Sequence, residues 1–333
     1  MTRAEPARMP PAATPELAAR LQDGLDRVDA RLRDVLDHSD PFIAEASGHL
    51  VAAGGKRFRP LLTLLTAELG SGLNAEVVDA ATGVELTHLA SLYHDDVMDE
   101  ADVRRGTQSA NARYGNSTAI LVGDLLFGKA SELVAGLGPA AVTIQAQTFV
   151  RLCSGQIRDD QPCPPGTDPV DYYLQVLADK TGALVATAAQ YGAMFGGCSA
   201  GVVATMRAYG ERLGVAFQLA DDLIDISSES AVSGKTPGTD LREGVWTLPV
   251  LYARASRRRG DSGLLRLLDG DLSDDARLRE ALSALRAHPA MHRARIHTES
   301  VAQEARSLLD GLDDGPVVDA LRALAVEVVD RVA

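Results

Sequence analysis

From Ala75 to Asp99 the chain reads AEVVDAATGVELTHLASLYHDDVMD, and the fold class turns on this stretch. Ala75 to Met98 holds no proline and one glycine, so the segment predicts a long buried helix. Asp95 and Asp99 are four residues apart near its end, which stacks their carboxylates on one helix face. Two like charges there repel, and the C-terminal end of a helix already carries partial negative charge. A solvated acidic helix end is the bland reading of such a pair. A bridging divalent cation removes the penalty, and hard oxygen ligands with water retained suit magnesium.

Working outward, the pattern returns at Asp221-Asp222-Leu223-Ile224-Asp225, where Asp221 and Asp225 again share a face. Each cluster follows an apolar helical stretch, Leu86 to Tyr93 in one case and Leu213 to Ala220 in the other. The repetition makes two solvated helix ends a poor account. Cations stand nearby. Gly55-Lys56-Arg57-Phe58-Arg59-Pro60 gives three positive groups at a glycine turn before a helix, a setting that favours phosphate-type anions. Alone, it would read as a solvated basic turn. Arg104-Arg105-Gly106 lies just past the first acidic cluster and Lys235 just past the second. Arginine suits bidentate phosphate contacts, while lysine acts as a point charge. His88 is seven residues before Asp95, two turns away on the same face; alone it would be a satisfied core histidine. Lys180-Thr181 and Gln218 put a cation, a hydroxyl and an amide inside otherwise apolar helices, where such groups need partners.

The rest of the chain is helical in pattern. Leu17, Leu21, Leu25, Val28, Leu32, Val35 and Leu36 keep helical spacing up to the break at Pro41. Gly54-Gly55 is a turn, and Pro60 fits the first turn of the next helix. Further helices are expected near 117–136, 139–158, 169–196, 200–226, 246–257, 275–287, 292–311 and 317–332, with a polar segment at about 258–275. No run of alternating strand-like segments is visible. Ala101–Gly115 and Ser227–Gly244, rich in Gly, Thr, Asp and Arg, are the loops expected to carry chemistry. Residues 1–14 read as a disordered tail without an apolar core, so no secretory signal is expected.

The bulk numbers agree. The 333 residues are 46% hydrophobic but only 4% aromatic, with Ala, Leu and Val dominant, which favours helices over sheets. A net charge of -13 argues against nucleic acid as a partner. Cys153, Cys163 and Cys198 form no CxxC, so neither a disulfide framework nor a zinc site is expected, and a reducing cytoplasm fits. No stretch of about 18 apolar residues is present to span a membrane.

In order along the chain, GGKRFRP, HLASLYHDDVMDEADVRRG, GDLLFGKA, KTGAL, FQLADDLIDIS and GKTPGTDLREG resemble the trans-isoprenyl diphosphate synthases, or polyprenyl synthetases, densely over about residues 45–255. The resemblance implies an all-α, single-domain helical bundle of the isoprenoid synthase type, covering 15–333 around a central apolar cavity. It implies a homodimer that condenses isopentenyl diphosphate head to tail with an allylic diphosphate, using about three magnesium ions. Asp95 and Asp99 would bind two of the ions, and Asp221, with Asp225, a third. Arg104, Lys180 and Lys235 would contact the allylic diphosphate. Lys56, Arg59, His88 and Arg105 would hold isopentenyl diphosphate. Thr181 and Gln218 would stabilise positive charge as the allylic C–O bond breaks. Val245 departs from the pattern, since many relatives carry lysine there, and one diphosphate contact is weakened by its loss.

Ala90 and Ser91, five and four residues before Asp95, are small where short-chain relatives carry a bulky aromatic floor. With about 5.4 Å per helix turn, similar to one isoprene unit, small residues there let a growing tail pass. A long all-trans product of about C30–C50, of the kind used for quinone side chains, is the expectation, although Met194 or Phe195 could supply a floor instead. Four alternatives stay open: a short-chain C15–C20 synthase, a terpene cyclase or head-to-head synthase, an HD-type phosphohydrolase using His49, His88 and His94-Asp95, and an inactive partner subunit.

Overall fold

The structure is a computed structural model that describes residues 9–228, 237–256, 258 and 260–330. Helices make up nearly all of its regular structure, as the composition predicts. In order they are α1 (Pro15–Leu36), α2 (Pro41–Ala52), α3 (Phe58–Ala67), α4 (Ala75–Met98), α5 (Ala110–Tyr114), α6 (Asn116–Ala135), α7 (Pro139–Asp159), α8 (Pro169–Leu177), α9 (Ala183–Phe195) and α10 (Ala200–Ser227). Then come α11 (Thr239–Arg242), α12 (Leu248–Arg254), α13 (Ser262–Leu268), α14 (Asp275–Arg286), α15 (Pro289–Ser307) and α16 (Pro316–Asp330). A π turn, Ala178–Gly182, joins α8 to α9, and a 3-10 turn, Leu308–Gly311, follows α15.

The residues group into two compact units. The first comprises the described residues of Met1–Val150, Leu184–Gly210 and Leu309–Ala323; the second, those of Arg151–Ala183, Glu211–Leu308 and Leu324–Ala333.

In the first unit, α1 starts where the Thr14 hydroxyl accepts from the Leu17 N–H, and it buries Leu17, Leu21, Leu25, Val28, Leu32 and Leu36, the face its spacing foretold. Residues 9–14, part of the stretch expected to be a disordered tail, hold a turn, and Pro10 is buried; residues 1–8 of that stretch lie outside the described residues. Pro41 follows the N-cap Asp40, where a missing N–H costs nothing. α4 is buried along most of its length, with Val77, Ala81, Val84, Leu86, Leu89, Ala90 and Tyr93 in its core. The segment after it is more than a loop. Val103–Arg104 and Thr107–Gln108 pair antiparallel as β1 and β2, turned by Arg105 and Gly106, both at positive φ, as a two-residue hairpin of this hand requires.

In the second unit, the expected polar segment at 258–275 contains α13, whose Leu264 and Leu268 are buried. The expected 169–196 helix is interrupted by the π turn.

Candidate active site

The acidic end of α4 is organised around Asp96. Asp96 is fully buried, whereas Asp95 is half-buried and Asp99 exposed at the C-cap. Arg104, from β1, donates Nε to Asp96 Oδ1 at 2.5 Å and holds a second guanidinium nitrogen 3.9 Å from Asp99. Asp96 Oδ2 is buried without a hydrogen-bond partner, an open acceptor in the middle of the cluster.

The basic turn divides its labour in a way the sequence hides. Arg57, left-handed at φ 47°, turns inward, donating Nε to Asp29 and a terminal N–H to the buried Glu85, both at 2.9 Å. It is a structural tie, not a free cation. Lys56 is exposed. Gly55, at φ 153°, leaves room for Arg105, whose guanidinium would lie 2.9 Å from a Cβ there. Arg105 donates to the Leu50 carbonyl at 3.0 Å and also to that of Gly54. Arg59 Nε is buried and unpartnered. Burial, then Arg105, lowers the Arg59 pKa, while Glu85 and Asp95 oppose that. His88 is pushed well below the usual imidazole range, by burial first and then by Arg59, Arg105, Arg104 and Arg57. Arg59 and Arg105 are thus the leading charges acting on His88, two turns from Asp95, and the positive surroundings that disfavour its protonation suit an anion.

In the second unit, Lys180 and Thr181 sit on the π turn, a feature common at functional sites. Asp179 anchors that turn by accepting from Arg151 and Arg158, each at 2.7 Å. Lys180 Nζ reaches Asp159 at 2.7 Å. Thr181 donates to Gln218 Oε1 at 3.2 Å, Gln218 Nε2 donates to Asp222 Oδ1 at 2.9 Å, and the Tyr173 hydroxyl donates to Asp222 Oδ2. The Asp225 carboxylate accepts from the Thr239 and Asp240 N–H groups at 3.3 Å, capping α11. Asp222 is raised to about 6, chiefly by burial, with Asp221 and Asp225 adding to the shift. Asp240 is raised to about 7, by burial and then by Asp222, Asp225, Glu243 and Asp159. These carboxylates repel one another, and a divalent cation would relieve it. Lys235 lies outside the described residues.

Among the described residues no three His, Cys, Asp or Glu side chains converge as a ready metal cage. A cation here would be held by one or two carboxylates, with the remaining oxygens from water and substrate, a pattern suited to magnesium. The histidines behind a phosphohydrolase reading go to separate partners: His49 Nε2 meets the Gln108 carbonyl at 2.7 Å, and His94 Nε2 meets the Ile120 carbonyl at 3.2 Å. Ala90 is fully buried in the core with Leu86, Leu89 and Leu126, whereas Ser91 is half-buried. At the departure from the lysine pattern, Val245 and Trp246 are exposed, and the Arg254 guanidinium stacks 3.8 Å over the Trp246 ring.

Sequence reasoning missed Glu85, Asp29, Tyr173, Asp159 and Asp240 as site residues. Asp240 had a signal, since it stands in GTDLREG, and so had Tyr173, two helical turns before Lys180. Asp29 and Glu85 had none, because each meets Arg57 from 28 residues away.

The chain as a whole is similar to known proteins. A nonaprenyl diphosphate synthase of Mycobacterium tuberculosis is 48% identical over 315 residues, covering 94% of each chain. A geranylgeranyl pyrophosphate synthase of Corynebacterium glutamicum, crystallised with calcium and isoprenyl diphosphate, matches with a TM-score of 0.86 at 42% identity, over 96% of this chain and 98% of that one. A decaprenyl diphosphate synthase of Rhodobacter capsulatus matches with a TM-score of 0.86 at 34% identity, over 96% and 99%. The polyprenyl synthetase family model spans residues 40–285, from the α2 N-cap through both aspartate motifs, and to that family this chain belongs.

Proposed function

We propose that the chain is a long-chain trans-polyprenyl diphosphate synthase, a prenyltransferase that condenses isopentenyl diphosphate head to tail with an allylic diphosphate. The observation that carries this reading is the basic turn, with the buried, unpartnered Arg59 Nε and the Arg105 guanidinium against Gly55, in the same unit as the acidic end of α4. It provides an anion site next to paired carboxylates within one unit. The 48% identity to a nonaprenyl diphosphate synthase favours a product of about C30–C50. The 42% identity to a geranylgeranyl synthase supports the short-chain reading, C15–C20, as the second possibility.

In this reading Asp95, Asp99, Asp221 and Asp225 hold about three magnesium ions, which when bound neutralise charge developing on the departing diphosphate. Lys56, Arg59, His88 and Arg105 seat isopentenyl diphosphate. The neutral His88 donates one hydrogen bond without adding charge. Arg104, Lys180 and Lys235 grip the allylic diphosphate, each preorganised cation stabilising the leaving group by roughly 3 kcal/mol. Asp96 and Asp159 orient Arg104 and Lys180 for that task. The Thr181 hydroxyl oxygen and the Gln218 amide oxygen face the positive carbon as the C–O bond opens. The isopentenyl double bond attacks that carbon, and the proton then lost passes to the released diphosphate. Apolar walls exclude the water that would quench the cation. A single domain over 15–333 with a central apolar cavity, a homodimer and a cytoplasmic location complete the proposal. Exposed apolar side chains on α6 and α7, led by Leu121 at 67%, Ile157 at 65% and Val150 at 64%, support the dimer. Among the described residues no helix is long and apolar enough to cross a membrane.

The test is incubation of the purified chain with magnesium, labelled isopentenyl diphosphate and C5, C10, C15 or C20 allylic starters. All-trans products of about C30–C50, absent under a chelator, are expected. Phosphate release without chain extension would overturn the reading, and products that stop at C15–C20 would give the short-chain assignment.

A further inference from the structure

The middle carboxylate of the second aspartate motif, Asp222, is committed elsewhere. It is 6% exposed, and both its oxygens are taken: Oδ1 accepts from Gln218 Nε2 at 2.9 Å and Oδ2 from the Tyr173 hydroxyl. Asp221 lies about 100° and Asp225 about 60° away around the helix, so helix position alone does not separate Asp222 from that pair; its two committed oxygens do. We infer that Asp222 is a positioning residue for Gln218 rather than a metal ligand, with Tyr173 as its second anchor. The inference rests on the prenyltransferase reading above.

The argument is one of donors and acceptors. An ionised carboxylate only accepts, so the Gln218 amide must turn its NH2 toward Asp222. The amide is planar, so its oxygen then points the other way, and there it accepts from the Thr181 hydroxyl at 3.2 Å. Gln218 and Asp222 are four apart on α10, the spacing at which helix side chains meet. Thr181 is brought to the amide oxygen by the π turn, buried on a segment that Asp179 ties to α7 through Arg151 and Arg158. Asp222 thus decides which end of the amide faces Thr181. With the oxygen there, the dipole stabilises a developing allylic cation; reversed, its NH2 would oppose the same charge. Tyr173 fixes Asp222 in turn, donating its hydroxyl to Oδ2.

Asp222→Asn removes the constraint, because asparagine can offer either end of its own amide. Its kcat is expected to fall about 10- to 100-fold, with KM for both diphosphates and the half-saturating magnesium concentration unchanged. Asp221→Asn, measured beside it, should raise the magnesium requirement. The second readout is calorimetric binding to the magnesium-loaded protein. An allylic analogue with an ammonium group at the reacting carbon should bind Asp222→Asn about 10-fold more weakly, while a neutral thiodiphosphate analogue binds as to wild type. Tyr173→Phe should show the same selective loss at about 3-fold, which keeps the test sound if Asp222→Asn does not fold. A magnesium shift in Asp222→Asn matching that of Asp221→Asn, or equal loss of both analogues, overturns the inference. Wild type that elongates no allylic diphosphate overturns the underlying function instead, a separate result from the same experiment.

Discussion

Ala90 and Ser91 are neighbours with opposite surroundings, and that difference decides how product length can be tested. Ala90 packs fully buried among Leu86, Leu89 and Leu126. Ser91 is half-buried, and its hydroxyl donates back to the His88 carbonyl, one turn from Asp95. Phenylalanine at Ala90 overfills a packed core, at a cost of about 1–3 kcal/mol, before it can act as a floor. Ser91, only half-buried, leaves phenylalanine an open side. The expectation is that Ser91→Phe shortens the product by several isoprene units at nearly unchanged Tm, while Ala90→Phe lowers Tm by several degrees. Chromatography of dephosphorylated products and scanning calorimetry check both. From sequence the two positions looked equivalent, because their shared smallness is visible there and their packing is not. The same holds for GGKRFRP. Its three cations are legible, but that Arg57 is tied inward to acidic partners depends on a left-handed backbone and on two distant carboxylates.

Between elements, Arg57 ties α1, through Asp29, to α4, through Glu85, and so fixes the turn that carries Arg59. Burial lowers the pKa of Arg59 and Arg105, and the buried Glu85 opposes that lowering at both. Breaking a buried ion pair by removing one partner costs about 3–5 kcal/mol. Arg57→Met is therefore expected to lower Tm markedly, and Asp29→Asn, at the more exposed arm, much less. Calorimetry of the two variants checks the ranking, and equal losses would remove the buried arm from the argument. On the other unit, Asp240, beside Asp222 and Asp225, is held to about 7, mainly by burial. An unfolded aspartate releases its proton near pH 4. The folded state thus keeps a proton that the unfolded chain gives up, so this contribution to stability is fully present below about pH 4 and is lost as pH rises through about 7. In chelator, the Tm gap between wild type and Asp240→Asn should widen in favour of the variant from about pH 5 to about pH 8. Added magnesium should narrow it. A gap that does not change with pH would mean that burial and the neighbouring carboxylates do not hold the Asp240 proton as described. The helices around these groups were largely legible from apolar spacing, whereas the π turn was not. ADKTG carries no breaker that marks an i+5 register, and the close approach of Gly155, where a Cβ would lie 2.5 Å from the Lys180 nitrogen, is a contact between distant residues that sequence does not show.

At the scale of the whole molecule, the all-α class followed from composition and the two motifs from spacing, because both are local properties of the chain. Association is not local in that sense. α6 and α7 leave Ile120, Leu121, Val142, Phe149 and Val150 exposed, although each helix also carries a buried face, with Val122, Leu126 and Val134 on α6 and Ala141 on α7. Large apolar side chains repeated along the outer faces of two consecutive helices are costly in water and mark association surfaces. In sequence they read like any core position, because hydrophobicity there does not say which side of the helix meets its own fold. A symmetric pairing of two copies covers such a face with the same face. Light scattering during gel filtration is expected to give twice the chain mass for wild type. Leu121→Arg combined with Val150→Glu should give the single-chain mass with an unchanged far-UV circular dichroism spectrum. Dimers that persist in the double variant would place the interface elsewhere, and a monomeric wild type would remove the dimer from the proposal while leaving the chemistry of each unit's motifs untouched.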